Sequence, residues 1–301
     1  MAVKTNLTKT ANVNVAAREI DFVTRFGQNW EALREIMGIM RPIKKAPGTV
    51  LKSKTASITL QSGAVAEGDE VPYSLAAVTE TPYQDMTIEK YAKAVSIEAI
   101  KDHGYDAAVA MTDAAFLNEL QSVVTGRFYT YLLTGSLTAT YTTFQMALAM
   151  ARGAVLNAFK GMHKDVTEVV GFVNLMDFYS YLGAADISIQ SEFGLTYVKN
   201  FMGYRVVFLC ANGEIPTGKV VAVPVENINL YYVDPSDSDF SRAGLDYTVA
   251  GETPLIGFHT QGNYTHVVSE CFAIMGLTLF AEYLNGIAVV TIGDTEVPFS
   301  N

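Results

Sequence analysis

"SGAVAEGDEVPYS", Ser62 to Ser74, is the stretch on which the reading of the fold turns. It holds Gly63, Gly68 and Pro72, three acids (Glu67, Asp69, Glu70) and little to bury. On either side stand "VLKSKTASITL" (50–60) and "MTIEKYAKAV" (86–95), rich in Thr, Val, Ile and Tyr but poorly alternating. The simplest structure is a long two-stranded ribbon over residues 49–95, with the acidic stretch at its tip. A ribbon with so few large apolar side chains builds no core and is marginal in water by itself. It needs a surface to lie on.

Upstream, Ile20, Val23, Phe26, Trp30, Leu33, Ile36, Met37 and Met40 recur every three or four positions, which predicts an amphipathic helix over 16–40. "RPIKKAPG" then breaks the pattern. The helix has no partner adjacent in sequence, so its stripe packs either on the body or on another copy. Residues 1–45 carry eight basic side chains against four acids, within a chain of net charge -10, so a basic arm joins an acidic body. Deleting residues 1–45 is expected to leave the body folded but its assembly defective.

Downstream, the spacing of Tyr105, Val109, Phe116, Leu120, Val123, Phe128 and Tyr131 predicts a long helix, with Asp102 or Asp106 as its cap and Gly135 as its stop. A second helix follows Thr142 or Thr143 and ends at Gly161, and a third runs from Asn174 to Gly183. The runs "VTEVVGFV", "YRVVFLC", "KVVAVPV" and "INLYYV" read as antiparallel strands. Asn285-Gly286, between two apolar runs, reads as a hairpin turn. The class is α+β. With 301 residues, 50% hydrophobic and 17% charged, the chain can bury a substantial core in one or two domains.

The chemical motifs are weak. "GEIPTGKV" (213–220) matches seven of the eight positions of a phosphate-cradling loop. Its last position, Val220, cannot ligate magnesium, and the β-branched run after it will not form the helix such a site requires. A loop joining two antiparallel strands is the better reading. The four histidines show no metal-ligand spacing, and Asp234, Asp237 and Asp239 do not follow a calcium-loop pattern. Cys210 and Cys271 sit in apolar runs as small buried hydrophobes, so no disulfide is needed. We therefore expect no enzyme, no metal and no cofactor. No apolar segment approaches the ~20 residues of a membrane span, and the start has no signal-peptide core, which points to a protein of a reducing cytoplasm. The acidic balance argues against wrapping nucleic acid through a basic surface.

The order of these features resembles the major capsid proteins of tailed bacteriophages and their Hong Kong 97-type fold. Glu67, Gly68 and Pro72 match the extended loop, Lys90 and Tyr91 the returning strand, Ser96 and Glu98 a short connecting segment, and Asp102 the approach to a spine helix. "GFVNLMDFYSYLG" resembles the strand-to-helix element of the axial domain. The resemblance spans about residues 45–292, by pattern rather than by any invariant motif. It implies an N-terminal arm (1–48), an extended loop (49–95), a peripheral domain with the spine helix (96–141 and 230–301) and an axial domain (142–229).

It also implies self-assembly into hexamers and pentamers of an icosahedral shell around double-stranded DNA, formed in the host cytoplasm. DNA would be touched without specificity, and portal, scaffolding or decoration proteins are implied partners, with no membrane. Some relatives link a loop lysine to an asparagine, which would pair Lys52 or Lys54 with Asn285. We assign Phe26, Trp30, Leu33, Met37, Lys52, Lys54, Glu67, Asp69 and Glu70 to contacts between subunits. An encapsulin-type compartment, with cargo on the N-terminal helix, is the alternative within the same fold.

Overall fold

The computed structural model describes residues 17–38, 42–183, 190–192 and 195–299. Helix α1 (Ala17–Met37) buries Phe22, Val23, Phe26, Trp30, Leu33, Ile36 and Met37 in the same core as Leu117, Val124 and Phe258. The ring of Phe22 stacks on Phe258 with centroids 3.9 Å apart. Burial of this kind stabilises by roughly 1.5–3 kcal/mol per large side chain, so the chain's own body covers the N-terminal stripe. Ile20 stays exposed on the other side, and Met40 lies outside the described residues.

The chain next adds β1 (Ile43–Lys44), then β2 (Val50–Thr59) and β3 (Leu75–Asp85), which pair antiparallel as a separate two-stranded sheet with a bulge at Leu51/Lys52. The return strand of the ribbon is therefore 75–85 and not 86–95. The residues assigned to it form β4 (Glu89–Ser96), which pairs along another strand in a larger sheet. There Tyr91 and Lys93 are half-buried while Lys90, Ala92 and Ala94 are exposed, the period-2 pattern of a strand with one covered face.

Ser96 caps the short helix α2 (Ile97–His103) by accepting from the Ala99 amide, and Gly104, at φ +82°, ends it. Neither Asp102 nor Asp106 caps the long helix that follows: Ser96 caps only α2, and the long helix begins without a side-chain cap. A π-helical turn over Asp106–Ala110 leads into α3 (Met111–Leu132), the spine, about 33 Å long at 1.5 Å per residue.

Two sheets hold the remaining strands. In the peripheral sheet, β13 (Val268–Ala281) is central. Its first half lies between β4 and β12 (Ile256–Asn263), and its second half pairs β11 (Ile228–Val233), to which β1 adds in parallel. The seven-stranded axial sheet has the order β5 (Leu137–Tyr141), β14 (Ala288–Ile292), β10 (Lys219–Pro224), β6 (Val169–Asn174), β9 (Val206–Cys210), β8 (Leu195–Lys199) and β7 (Gln190–Glu192). Helices α4 (Phe144–Gly161) and α5 (Leu175–Leu182) pack on it around a second core that includes Leu148, Val155, Phe159 and Phe178. A short α6 (Ser238–Arg242) follows β11. The caps of α4 and α5 are Thr143 and Asn174, and Gly183 takes φ +57° after α5, all as the sequence predicts.

The sheets are mixed rather than purely antiparallel, since β6 with β9 and β5 with β14 run parallel. Asn285-Gly286 is no hairpin. The strands on either side of it belong to different sheets, and Leu284–Gly286 is a 3-10 turn through which the chain crosses between them. A Cβ on Gly286 would stand 2.2 Å from the Phe159 ring, so this glycine serves close packing. Strands β5 and β14 consequently join the axial sheet, outside the segment 142–229 drawn for it from the sequence.

Candidate assembly surface

The arm formed by β2 and β3 is rooted firmly and then left bare. Ser53 Oγ donates to the Glu282 carbonyl at 2.8 Å and accepts from the Leu284 amide at 3.1 Å. The Lys54 amide donates to the same carbonyl at 2.7 Å. Tyr83 lies against Phe280 and Tyr131, with centroids 5.1 and 4.1 Å away. Burial pushes the Tyr131 hydroxyl up to about 12, and it donates to the Ala281 carbonyl. The root is thus tied to the turn between the two sheets.

Beyond the root, every residue from Ala56 to Pro82 is exposed, Leu60 at 74% and Tyr73 at 92%. Lys52 pairs with Glu80 across the strands at 2.7 Å, and its hydrogen bond holds the Glu80 carboxyl below its usual range. Lys54, Glu67, Asp69 and Glu70 are also exposed, the three acids around a turn at Gly68 with φ +94°. The structure therefore separates the nine residues assigned to subunit contacts. Lys52, Lys54, Glu67, Asp69 and Glu70 share one projecting arm. Phe26, Trp30, Leu33 and Met37 are at most 2% exposed in the chain's own core, and this is a correction: the stripe meets Leu117 and Phe258 across the fold.

Two cations of the N-terminal segment, Arg18 and Lys44, pair with acids of the protomer's own body. Arg18 grips Asp113 through two hydrogen bonds of 2.5 and 2.7 Å, and Lys93 reaches Asp113 at 2.5 Å. Burial alone would raise the Asp113 carboxyl, but hydrogen bonds and charge from Arg18 and Lys93 outweigh it and hold the carboxyl below the ordinary range. Glu19 is buried and accepts from the hydroxyls of Thr248 and Thr260 at 2.6 Å each. Lys44 pairs with Asp234. The sequence reading missed this clamp, although an acid at position 113, on the same helix face as Leu117 and Leu120, was a visible signal.

The loop 211–218 has no phosphate cradle. Strand β6 lies between β9 and β10, so the loop bridges over a strand instead of turning between paired neighbours. Three of its amides are taken by side chains: Gly218 donates to Asp177 at 2.5 Å, Ala211 to Glu214 at 2.8 Å and Thr217 to Asn212 at 3.1 Å. Two of those acceptors are carboxylates, which would repel a phosphate. Lys219 is bonded to Thr291, and Val220 is fully buried. Asp234 is taken by Lys44 and Ser236. Among the described residues no cluster of His, Cys, Asp or Glu is placed to hold a metal ion. Both cysteines are free and buried, which pushes their thiols up. No helix among the described residues is long and apolar enough to cross a membrane.

No family model and no curated protein matches the sequence. Solved structures do match. The mature capsid of bacteriophage PhiM1 covers 84% of this chain and 86% of its own, at 9% identity and a TM-score of 0.50. A virus-like particle from Pyrococcus furiosus covers 91% and 100%, at 10% identity and 0.49. The SrpI encapsulin complex from Synechococcus elongatus PCC 7942 covers 98% and 97%, at 11% identity and 0.44. The chain has the Hong Kong 97-type capsid fold, with an extended arm, a spine helix in a peripheral domain and an axial α/β domain.

Proposed function

We propose that the protein is the major capsid protein of a tailed bacteriophage. Copies of the chain assemble as hexamers and pentamers into an icosahedral head that encloses double-stranded DNA, and form it in the host cytoplasm with a portal and either scaffolding or decoration proteins. The observation that carries the proposal is the arm. Residues 56–82 project from a fold of this type with no support from their own protomer, and such a ribbon is retained in water only where a neighbour covers it. A non-enzymatic role fits the occupied loop amides at 211–218 and the ion-paired Asp234. Negative-stain imaging of the expressed chain tests the reading: shells of uniform diameter support it, and a dispersed protomer at all concentrations defeats it.

An encapsulin-type compartment is the alternative within the same fold. The cargo-docking stripe assigned to α1 for that alternative is buried in the protomer, which favours the phage reading. Particle contents and neighbouring genes separate the two, DNA with terminase and portal genes on one side and a single enclosed enzyme on the other.

A further inference from the structure

The last described residues fold back over an edge of the axial sheet. Strand β5 ends the strand order of that sheet, so among the described residues one side of it has no neighbouring strand. Residues 294–299 cross the end of β5 and turn antiparallel along that side, where Thr140 and Val297 exchange both backbone bonds, at 2.7 and 2.9 Å. Thr142 Oγ1 donates to Glu296 at 3.2 Å, and the Phe299 ring meets Tyr141 with centroids 6.3 Å apart. The segment is a strap on an otherwise open edge, and covering an edge in this way keeps it from pairing with other chains.

The strap's seat is only half made. In an antiparallel ladder the bonded pairs recur every second residue, so Thr138 with Phe299 is the next pair after Thr140 with Val297. Between these two described residues no backbone bond forms. Tyr141 is 3% exposed and its hydroxyl has no partner among the described residues, although buried hydroxyls are ordinarily bonded. Residues 294–298 are all exposed, Val297 at 56%, so little apolar burial holds the strap down. The turn at 294–296 also ties the strap to the end of β14 and fixes the angle at which it enters.

We infer that the outer edge of β5 is a slot for an extended peptide, and that on assembly it takes the strap of a neighbouring copy in place of its own. This rests on the shell-subunit reading and adds a second, exchanged contact in the axial domain. Exchange costs little, because the incoming strap remakes the contacts that the outgoing one gives up. Free of the turn that tethers the native strap, the incoming one seats in full register. It adds the Thr138–Phe299 pair and brings more backbone polar groups beside the Tyr141 hydroxyl.

The test combines Thr140→Cys and Val297→Cys in the full chain. The two native cysteines are buried and do not compete. In the unassembled double variant, oxidation should close a link within one chain. In assembled particles it should join chain to chain, so that a denaturing gel without reductant shows a ladder of linked chains. Particles co-assembled from the two single variants should give linked pairs. Particles whose chains all run singly on that gel overturn the exchange and leave the shell reading intact, whereas a wild-type chain that never assembles overturns both. A further variant needs no cysteine, since Val297→Pro removes one of the two backbone donors. It should leave the melting temperature of the protomer unchanged and lower the temperature at which particles come apart. Val297→Pro particles as stable as the wild type overturn the slot.

Discussion

Asp113 takes Arg18 and Lys93 together on the buried side of the spine helix. Replacing it with Asn leaves both cations facing a neutral group, and should cost about 3 kcal/mol near pH 7. Because the folded carboxyl is held below the ordinary range, its contribution is complete above the unfolded value of about 3.9 and is lost as pH falls through the lower folded value. Urea unfolding at pH 7 and at pH 2–3 should show the gap between wild type and Asp113→Asn closing in acid; a gap that does not change with pH contradicts the clamp. Gly286→Ala tests another single position. Its Cβ would collide with the Phe159 ring, so a loss of about 1–3 kcal/mol is expected from overpacking, visible in the melting temperature. Residue-scale features were legible where the signal is local: Thr143 and Asn174 cap the helices that follow them directly. Arg18 and Asp113 are 95 positions apart, and no spacing rule joins such a pair. The Asn-Gly step at 285–286 misled because glycine serves tight turns and tight packing equally well.

Among the elements, α1 and the arm exchange the roles that sequence suggests for them. Both looked unsupported, and only the arm is. The α1 stripe is indistinguishable in sequence from an interface stripe, since periodicity reports that a face is covered without saying by what. With α1 in the core, deleting residues 1–45 should leave an unstable or unfolded protomer rather than the folded body the sequence suggests, and Trp30→Ala should cost about 3–5 kcal/mol, measured by denaturant unfolding. An intact melting transition in the deletion would return α1 to the surface. The arm behaves in the opposite way. Amides of 56–59 and 75–81 should exchange hydrogen quickly in the unassembled chain and slow on assembly, while those of α3 stay slow in both states. Equal protection of the ribbon in the two states would mean that it packs within its own subunit. The return strand was misplaced by about ten residues because 75–85 carries Glu80 and Pro82 and alternates poorly, whereas β4 has the stronger strand composition and uses it in another sheet.

At the scale of the molecule, the sequence led to the correct fold class through one ordered series, an acidic Gly/Pro tip, a strand, a short capped helix and a long helix. The allocation of strands to sheets was not legible. Strands β5 and β14, one from each of the two peripheral segments, pair with each other in the axial sheet, and such long-range pairing leaves no local trace. What the whole arrangement amounts to is a protomer with two well-filled cores and one arm that neither core covers. The central claim is that this arm holds copies together in a closed shell. Sedimentation velocity of the full chain beside a variant in which a short Asn-Gly turn replaces residues 54–80 tests it most directly. The account predicts large, uniform particles for the full chain, and a folded protomer with near-native melting temperature that stays at single-chain mass for the variant. Particles of equal size and stability from both proteins, or a full chain that remains a protomer under every condition, would contradict it.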